Sequence, residues 1–141
     1  MRIKLEQPQQ YIFSMHLTVR VSDLNYGNHL SNDRLLTYAH QARVELFQSW
    51  GFSEMNFAGK GVIMTDAAIV FKSEGHLNDE LQIDVAVEDI SKIGFDLYYK
   101  VINTKTEKEV AEIKTGILCF DYQLKKVVAI PEEIVQILNK L

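Results

Sequence analysis

The stretch NDRLLTYAHQARVELFQSW, residues 32–50, is the only long helix that the sequence predicts, and the other elements must pack around it. Its apolar residues recur every three or four positions and so share one helix face; they are Leu35, Tyr38, Ala39, Ala42, Leu46 and Trp50. Ser31 or Asn32 can cap its first amides, and Gly51 can supply the left-handed residue that ends it. Such a helix must pack its apolar face against another element.

Most of the remaining chain alternates apolar and polar residues, a pattern that is typical of half-buried strands. In YIFSMHLTVRVS, residues 11–22, the predicted inward face carries Phe13, Met15, Leu17, Val19 and Val21. Four further strands are predicted at residues 61–72, 80–89, 93–103 and 110–120, and Pro131 is well placed to begin a short terminal helix.

One long helix and about five mostly antiparallel strands predict an α+β fold in which the sheet wraps the helix, as in the hot-dog arrangement. At 141 residues the chain has the length of one domain, so residues 1–141 are expected to form a single unit. Its long sheet edges favour pairing between protomers, so a homodimer or a homotetramer is expected.

Composition excludes several classes of function. The net charge is −4 without a basic patch, so neither nucleic acid nor an anionic membrane surface is an expected partner. Cys119 is the only cysteine, so no intrachain disulfide can form. The start, MRIKLEQPQQ, has no apolar signal segment, and no apolar run approaches the roughly 18 residues that span a bilayer. A cytoplasmic protein is therefore expected.

The bend SDLNYGNHLSND, residues 22–33, is the first candidate for chemistry. A loop that opens a helix presents free backbone N–H groups at the positive end of the helix dipole, where a carbonyl that becomes an oxyanion can bind. Gly27 would allow close approach or positive φ, and Asn25, Asn28 and Asn32 add amide groups. The same residue types also build ordinary strand-to-helix turns, so a purely structural role is the alternative.

His29 and Asp66 are the two candidate acid–base residues. Histidine can act as base, acid or hydrogen-bond donor near neutral pH. His29 is therefore a candidate, although it can also simply steady the turn. Asp66 is expected to share a strand face with the apolar residues Val62, Met64, Ala68 and Val70. Desolvation on such a face raises a carboxyl pKa and makes the group a useful base. Alternatively, Asp66 faces solvent or pairs with a cation such as Arg43.

Other polar residues suggest structural roles. Asp23 can cap the bend, Arg43 and Glu45 can form a solvated helix face, and Glu74 with His76 can be loop polarity or part of a site rim. Cys119 has apolar neighbours and is expected in the core. The four histidines show no paired ligand spacing, so no metal or other cofactor is expected; they are His16, His29, His40 and His76.

Residues 13–121 resemble the hot-dog thioesterases of the 4-hydroxybenzoyl-CoA thioesterase type. Members commonly read Arg, a spacer, Asp-x-Asp-x-x-Gly-His-Val-Asn-Asn, and then a helix with Tyr and an Ala-Arg pair. The matching positions here are Arg20, Asp23, Asn25, Asn28, His29, Leu30, Ser31, Asn32, Tyr38, Ala42 and Arg43.

One departure bears on the chemistry. The second Asp of the family motif is the nucleophile or general base, and Asn25 stands there in this chain. The resemblance includes a subgroup in which a strand Asp at the position of Asp66 accompanies the DLNYGxHL form. In the related plant acyl-carrier thioesterases an Asn and a His of this bend take part in the site; His29 matches the His, while Gly27 replaces the Asn.

The resemblance therefore implies a thioesterase acting on an acyl-CoA or acyl-carrier thioester. Asp66, His29 and Asn25 are the expected catalytic residues, and Asn32, Ser31, Gly27 and Tyr26 the expected substrate contacts. A non-catalytic acyl-binding module is the alternative that Asn25 leaves open. A hot-dog enoyl-CoA hydratase ranks lower, because its Asp-x-Asn-x-x-His motif places the histidine one residue earlier and has proline where Tyr26 stands.

Overall fold

A computed structural model describes all of residues 1–141. Two α-helices are present: α1, Asn32–Ser49, and α2, Glu132–Asn139. Six strands form one sheet: β1, Phe13–Thr18; β2, Gly61–Phe71; β3, Glu80–Glu88; β4, Gly94–Asn103; β5, Glu109–Asp121; and β6, Lys126–Val127. The long helix, the terminal helix and the five main strands agree with the sequence prediction, and the two-residue β6 is an addition.

The sheet has the order β1-β3-β4-β5-β2, every neighbouring pair is antiparallel, and β6 pairs with β5. The buried face of α1 packs in the same hydrophobic core as the inward residues of β3, β4 and β5. This is the hot-dog fold that the strand and helix order predicted. The strands β1 and β2 lie at the two ends of the sheet, so the outer edge of β2 pairs with no other strand, although the Val62 N–H at its start donates to the Glu54 carbonyl at 3.0 Å.

The first strand is shorter than its alternation predicted. Met15 and Val19 are buried as expected, but Val21 is 74% exposed rather than inward. The strand pairing with β3 ends at Thr18, and the chain then turns through a short 3-10 helix at Val21–Asp23. This early departure from the sheet is what starts the polar bend.

A β-bulge in β2 changes which residues face the core. Before the bulge, Met64 lies opposite Ile117, a buried core residue; after it, Asp66 lies opposite Gly116, so one residue of β2 is left over. A one-residue slip moves every following side chain to the other sheet face. The sequence prediction that Asp66 shares a face with Val62 and Met64 is therefore wrong.

The helix ends follow the predicted residues with one difference. Gly51 has φ 89° and provides the left-handed stop. Ser31 precedes α1, but its hydroxyl donates to the carboxylate of Asp33 instead of capping a backbone amide. Neither helix is long and apolar enough to cross a membrane.

Candidate active site

A cavity of about 350 Å³ lies where the polar bend, the start of α1 and the chain after β2 meet. Its lining residues are Asn25, His29, Leu30, Asn32, Leu35, Phe71, Lys72, Ser73, Glu74, Gly75 and Val110. The cavity thus brings together Asn25, His29 and Asn32, three of the residues that the sequence singled out. Its wall combines these polar groups with four apolar side chains, a composition that suits an acyl ester with a polar reacting end.

The side-chain oxygen of Asn25 holds the bend in shape. It accepts hydrogen bonds from the backbone N–H of Gly27 at 2.9 Å and of His29 at 3.2 Å. Asn28, with φ 63°, supplies the left-handed residue of the turn, so positive φ falls on Asn28 and not on Gly27. Asn25 therefore positions His29 through its oxygen, which leaves its Nδ2 group as the donor for a bound molecule.

Asn32 is the residue at the start of α1 that lines the cavity. The carboxylate of Asp33 accepts from the Ser31 hydroxyl, and this bond, followed by backbone N–H groups of Asp33 and Arg34, lowers the pKa of Asp33. Asp33 therefore occupies part of the positive helix end. Asn32 lines the cavity, whereas Asp33 lines a neighbouring surface depression.

His29 faces a carboxylate and a second imidazole from the loop after β2. Its Nε2 lies 3.4 Å from Oε2 of Glu74, and its ring stands edge-on to that of His76 with centroids 5.2 Å apart. The backbones of His29 and His76 form an isolated antiparallel bridge, and the Leu30 N–H donates to the Gly75 carbonyl at 2.8 Å. The spacing of the histidines along the sequence does not reveal this pair, because the fold brings distant segments together.

Asp66 lies apart from this group within one protomer. It is not among the cavity-lining residues, and its side chain is 61% exposed on the sheet face opposite to α1. The Lys114 ammonium donates to Asp66 Oδ1 at 2.7 Å, so the predicted apolar surroundings are wrong for the single chain and the paired cation is Lys114. Arg43 is buried instead of solvated, and its Nε donates to Glu54 Oε2 at 2.9 Å.

Lys114 joins two carboxylates on that outer face. Its Nζ also lies 3.6 Å from Oδ1 of Asp96. Burial alone would lower the pKa of Lys114, but the hydrogen bond to Asp66 and the charges of Asp96 and Asp66 outweigh it and raise the pKa. Lys114 therefore stays a cation. If Asp66 acts as a base, it does so with this positive charge beside it.

A family model described as the thioesterase-like superfamily matches residues 19–138. The chain belongs to this superfamily. No curated protein sequence shows significant similarity to it. The match covers the bend, α1, the whole of β2 to β6 and nearly all of α2.

Solved structures with the same fold include several thioesterases. The 1,4-dihydroxy-2-naphthoyl-CoA thioesterase from Synechocystis is 18% identical with a TM-score of 0.84, and the alignment covers 92% of this chain and 96% of that one. The YbaW probable thioesterase from Escherichia coli is 19% identical, with a TM-score of 0.76 and coverages of 90% and 96%. A hypothetical protein from Staphylococcus aureus in complex with CoA is 14% identical, with a TM-score of 0.84 and coverages of 97% and 87%.

In this thioesterase-like chain Asp23 fastens the bend to α1. The Tyr38 hydroxyl donates to Asp23 Oδ2 at 2.6 Å, and the Arg20 backbone N–H donates to the same oxygen at 3.1 Å. Burial and then the hydrogen bond to Asp23 raise the pKa of Tyr38. Asp23 therefore has the capping role that the sequence predicted, and Tyr38 stays a neutral donor.

Two remaining candidates have clear positions. Tyr26 is fully exposed at the tip of the bend and is absent from the cavity wall. Cys119 is buried in the core, where desolvation raises the pKa of its thiol to about 11. A neutral thiol enclosed by the core is a poor nucleophile, so Cys119 has the structural role expected from its neighbours.

Proposed function

We propose that this protein hydrolyses an acyl-CoA thioester to the free acid and CoA at the cavity beside α1. The observation that carries the proposal is the convergence of Asn25, His29 and Asn32 on that one cavity. Membership of the thioesterase-like superfamily supports the reaction class.

The thioester carbonyl binds at the amino end of α1 in this proposal. The backbone N–H groups around Asn32 are among those that the helix itself leaves unpaired, and they lie at the positive end of its dipole. One such donor aimed at a developing oxyanion is typically worth about 10²–10³ in rate. Asn25 Nδ2 and the His29 imidazole then orient the carbonyl or the attacking water.

Asp66 of a second protomer is the proposed general base. The position of β2 at the end of the sheet supports the pairing, because its exposed Met64 side chain is a large hydrophobic group that a partner protomer would cover. Since Asp66 is distant from the bend of its own chain, this assignment requires a homodimer or a homotetramer. Within one protomer, Glu74 is the carboxylate that lies beside His29, and it is the alternative base.

An acyl-CoA is the proposed substrate, and the cytoplasm is the proposed location. The Staphylococcus aureus neighbour has CoA bound, and the Synechocystis neighbour is a thioesterase for an aromatic acyl-CoA. Lys72 lies in the cavity wall and can attract a phosphate of CoA, although it also pairs with Glu112 at 3.4 Å. Leu35, Phe71 and Val110 provide the apolar contacts for the acyl group.

A thiol-release assay tests this function with short, long and aromatic acyl-CoAs and with an acyl-carrier protein that bears an acyl group as a thioester. Saturable thiol release above the uncatalysed rate supports hydrolysis, and the preferred substrate identifies the acyl class and its carrier.

A non-catalytic acyl-binding module is the second candidate. The observation that favours it is the side-chain oxygen of Asn25, which is already engaged by two backbone amides where the family motif has a reactive carboxylate. Saturable acyl-CoA binding without thiol release would support the module. A change in enoyl absorbance without thiol release would instead indicate a hydratase.

A further inference from the structure

The loop after β2 and the polar bend place three metal-ligating side chains side by side. His29, Glu74 and His76 each offer one nitrogen or oxygen atom, and these atoms all lie within 4.8 Å of one another. The proposed thioesterase reaction uses His29 and gives His76 no role, so it does not account for the pairing of the two histidines beside Glu74. We propose that these residues form a site for a divalent transition-metal ion, and that binding of the ion withdraws His29 from thioester hydrolysis.

The spacing suits direct coordination. Two ligand atoms at about 2.1 Å from a tetrahedral Zn²⁺ ion lie about 3.4 Å apart, and His29 Nε2 and Glu74 Oε2 are 3.4 Å apart. His76 Nε2 lies 4.0 Å from the same Glu74 oxygen, so a small rotation of an exposed side chain brings it to the same spacing. Two imidazoles and one carboxylate are the ligand set of many zinc sites with an open fourth position.

The backbone fixes two of the three ligands. His29 and His76 are joined by an isolated antiparallel bridge, so their side chains leave neighbouring backbone positions. Asp79 supports the second histidine, since its Oδ2 accepts from the His76 backbone N–H at 2.8 Å and lies 3.8 Å from His76 Nδ1. A carboxylate beside the non-ligating ring nitrogen is a common outer partner of a metal-bound histidine. The backbone therefore supports the two histidines, and Glu74 is the most exposed of the three ligands.

The ligand types also restrict the choice of ion. Imidazole nitrogen suits Zn²⁺, Ni²⁺, Cu²⁺ and Co²⁺, whereas Mg²⁺ and Ca²⁺ prefer oxygen ligands. With two imidazoles and only one carboxylate, the cluster is expected to bind Zn²⁺ in preference to Mg²⁺.

Binding is tested by isothermal titration of the tag-free full chain with Zn²⁺, and with Mg²⁺ as the control ion. We expect one Zn²⁺ per chain, and at least about tenfold weaker binding in both His76→Ala and Glu74→Gln. Both side chains are exposed, so neither substitution removes core packing. Co²⁺ should give visible absorption bands that both substitutions abolish. No saturable Zn²⁺ binding, or equal binding in all three proteins, would overturn the site.

His40→Ala is the matched control for this titration. His40 Nε2 also contacts a glutamate, at 2.6 Å from Glu54 Oε1, but that pair is not part of the three-ligand group. We therefore expect His40→Ala to bind Zn²⁺ as the unmodified chain does. A loss of binding in His40→Ala would show that the ion binds at His40 and Glu54 and would contradict the proposal.

The inhibitory role rests on the proposed hydrolase function and has its own readout. The ratio of thiol release with and without Zn²⁺ should fall at least about tenfold in the unmodified chain, recover with a chelator, and stay near one in His76→Ala. Zn²⁺ binding without any change in turnover would overturn the inhibitory role while the titration still supports the site. A protein without thioesterase activity would disprove the proposed function and this role, and the titration would still decide the metal site.

Discussion

The Asp66 carboxylate lies 2.7 Å from the Lys114 ammonium, on the opposite sheet face from α1. The position of Asp66 on this face keeps the proposed base away from the bend of its own chain. Catalysis by Asp66 therefore depends on a second protomer that brings this carboxylate to the cavity, and the substitutions below distinguish this arrangement from a base within one chain.

Asp66→Asn should lower kcat by about 10²–10⁴ and leave KM for acyl-CoA nearly unchanged, because a neutral amide cannot take a proton from water. Steady-state thiol release gives both constants. Asp96→Asn is the matched control, since it removes the other carboxylate that contacts Lys114 without touching the proposed base. Equal turnover in Asp66→Asn and the unmodified chain would disprove the assignment and leave Glu74 as the candidate.

A carboxylate at residue 25 should restore part of this loss. The motif that the bend resembles has Asp there, so Asn25→Asp in the Asp66→Asn background places a base next to His29. Two backbone N–H donors would favour the charged form of the new side chain. We expect turnover to rise at least about tenfold over Asp66→Asn alone. A double variant no faster than the single one would show that residue 25 does not reach the thioester.

Asn25→Ala should destabilise the bend by about 1 kcal/mol, because the backbone N–H groups of Gly27 and His29 lose their acceptor. Urea unfolding monitored by circular dichroism measures the change. Asn25→Asp keeps an acceptor oxygen in the same place and should unfold near the midpoint of the unmodified chain. If Asn25→Ala is as stable as Asn25→Asp, the side chain does not hold the bend.

Glu109→Gln should stabilise the protein at neutral and higher pH. Burial, followed by the hydrogen bond to Glu112 and the charge of Glu112, raises the pKa of Glu109, and its buried Oε1 has no hydrogen-bond partner. The folded chain therefore binds this proton more tightly than the unfolded chain, so the unmodified protein loses stability as pH rises from the unfolded pKa through the raised folded pKa.

Urea midpoints measured from acid to neutral pH check this sign. The advantage of Glu109→Gln should be small below the unfolded pKa and should grow with pH until Glu109 is ionised in the folded chain. Glu107→Gln, which removes the same charge at an exposed position of the nearby turn, is the control variant. An advantage that shrinks as pH rises would contradict the assignment.

Cys119 should resist alkylation in the folded protein. Its thiol is buried and has a pKa of about 11, so at about pH 8 only about one thiol in a thousand is ionised. Mass spectrometry after iodoacetamide treatment should find no adduct without denaturant and one adduct in urea. Rapid modification of the folded chain would show that this part of the core opens readily.

The sequence predicted the fold closely because periodicity records local burial. The apolar spacing of residues 32–50 gave α1 to within one residue, and alternation gave the five main strands. The bulge in β2 was missed because a single extra residue leaves the alternation intact on both of its sides. Gly116 was the available signal, since a Cβ there would lie only 2.5 Å from Asp66 Oδ1.

The site was predicted in part. Asn25, His29 and Asn32 lie close in sequence, so the bend itself brings them to one cavity. The contacts of His29 with Glu74 and His76 depend on how a distant loop packs, which no local pattern reports. The pairing of the buried Arg43 with Glu54 was missed for the same reason.

Hydrolysis at the cavity beside α1 is tested by comparing thiol release from acyl-CoA by the unmodified chain, His29→Ala and His16→Ala. His16 is exposed on β1 and contacts Gln82, so it serves as the matched histidine control. We expect saturable turnover that falls at least about a hundredfold in His29→Ala and stays unchanged in His16→Ala. No turnover by the unmodified chain with any acyl-CoA, or equal turnover in all three proteins, would contradict it.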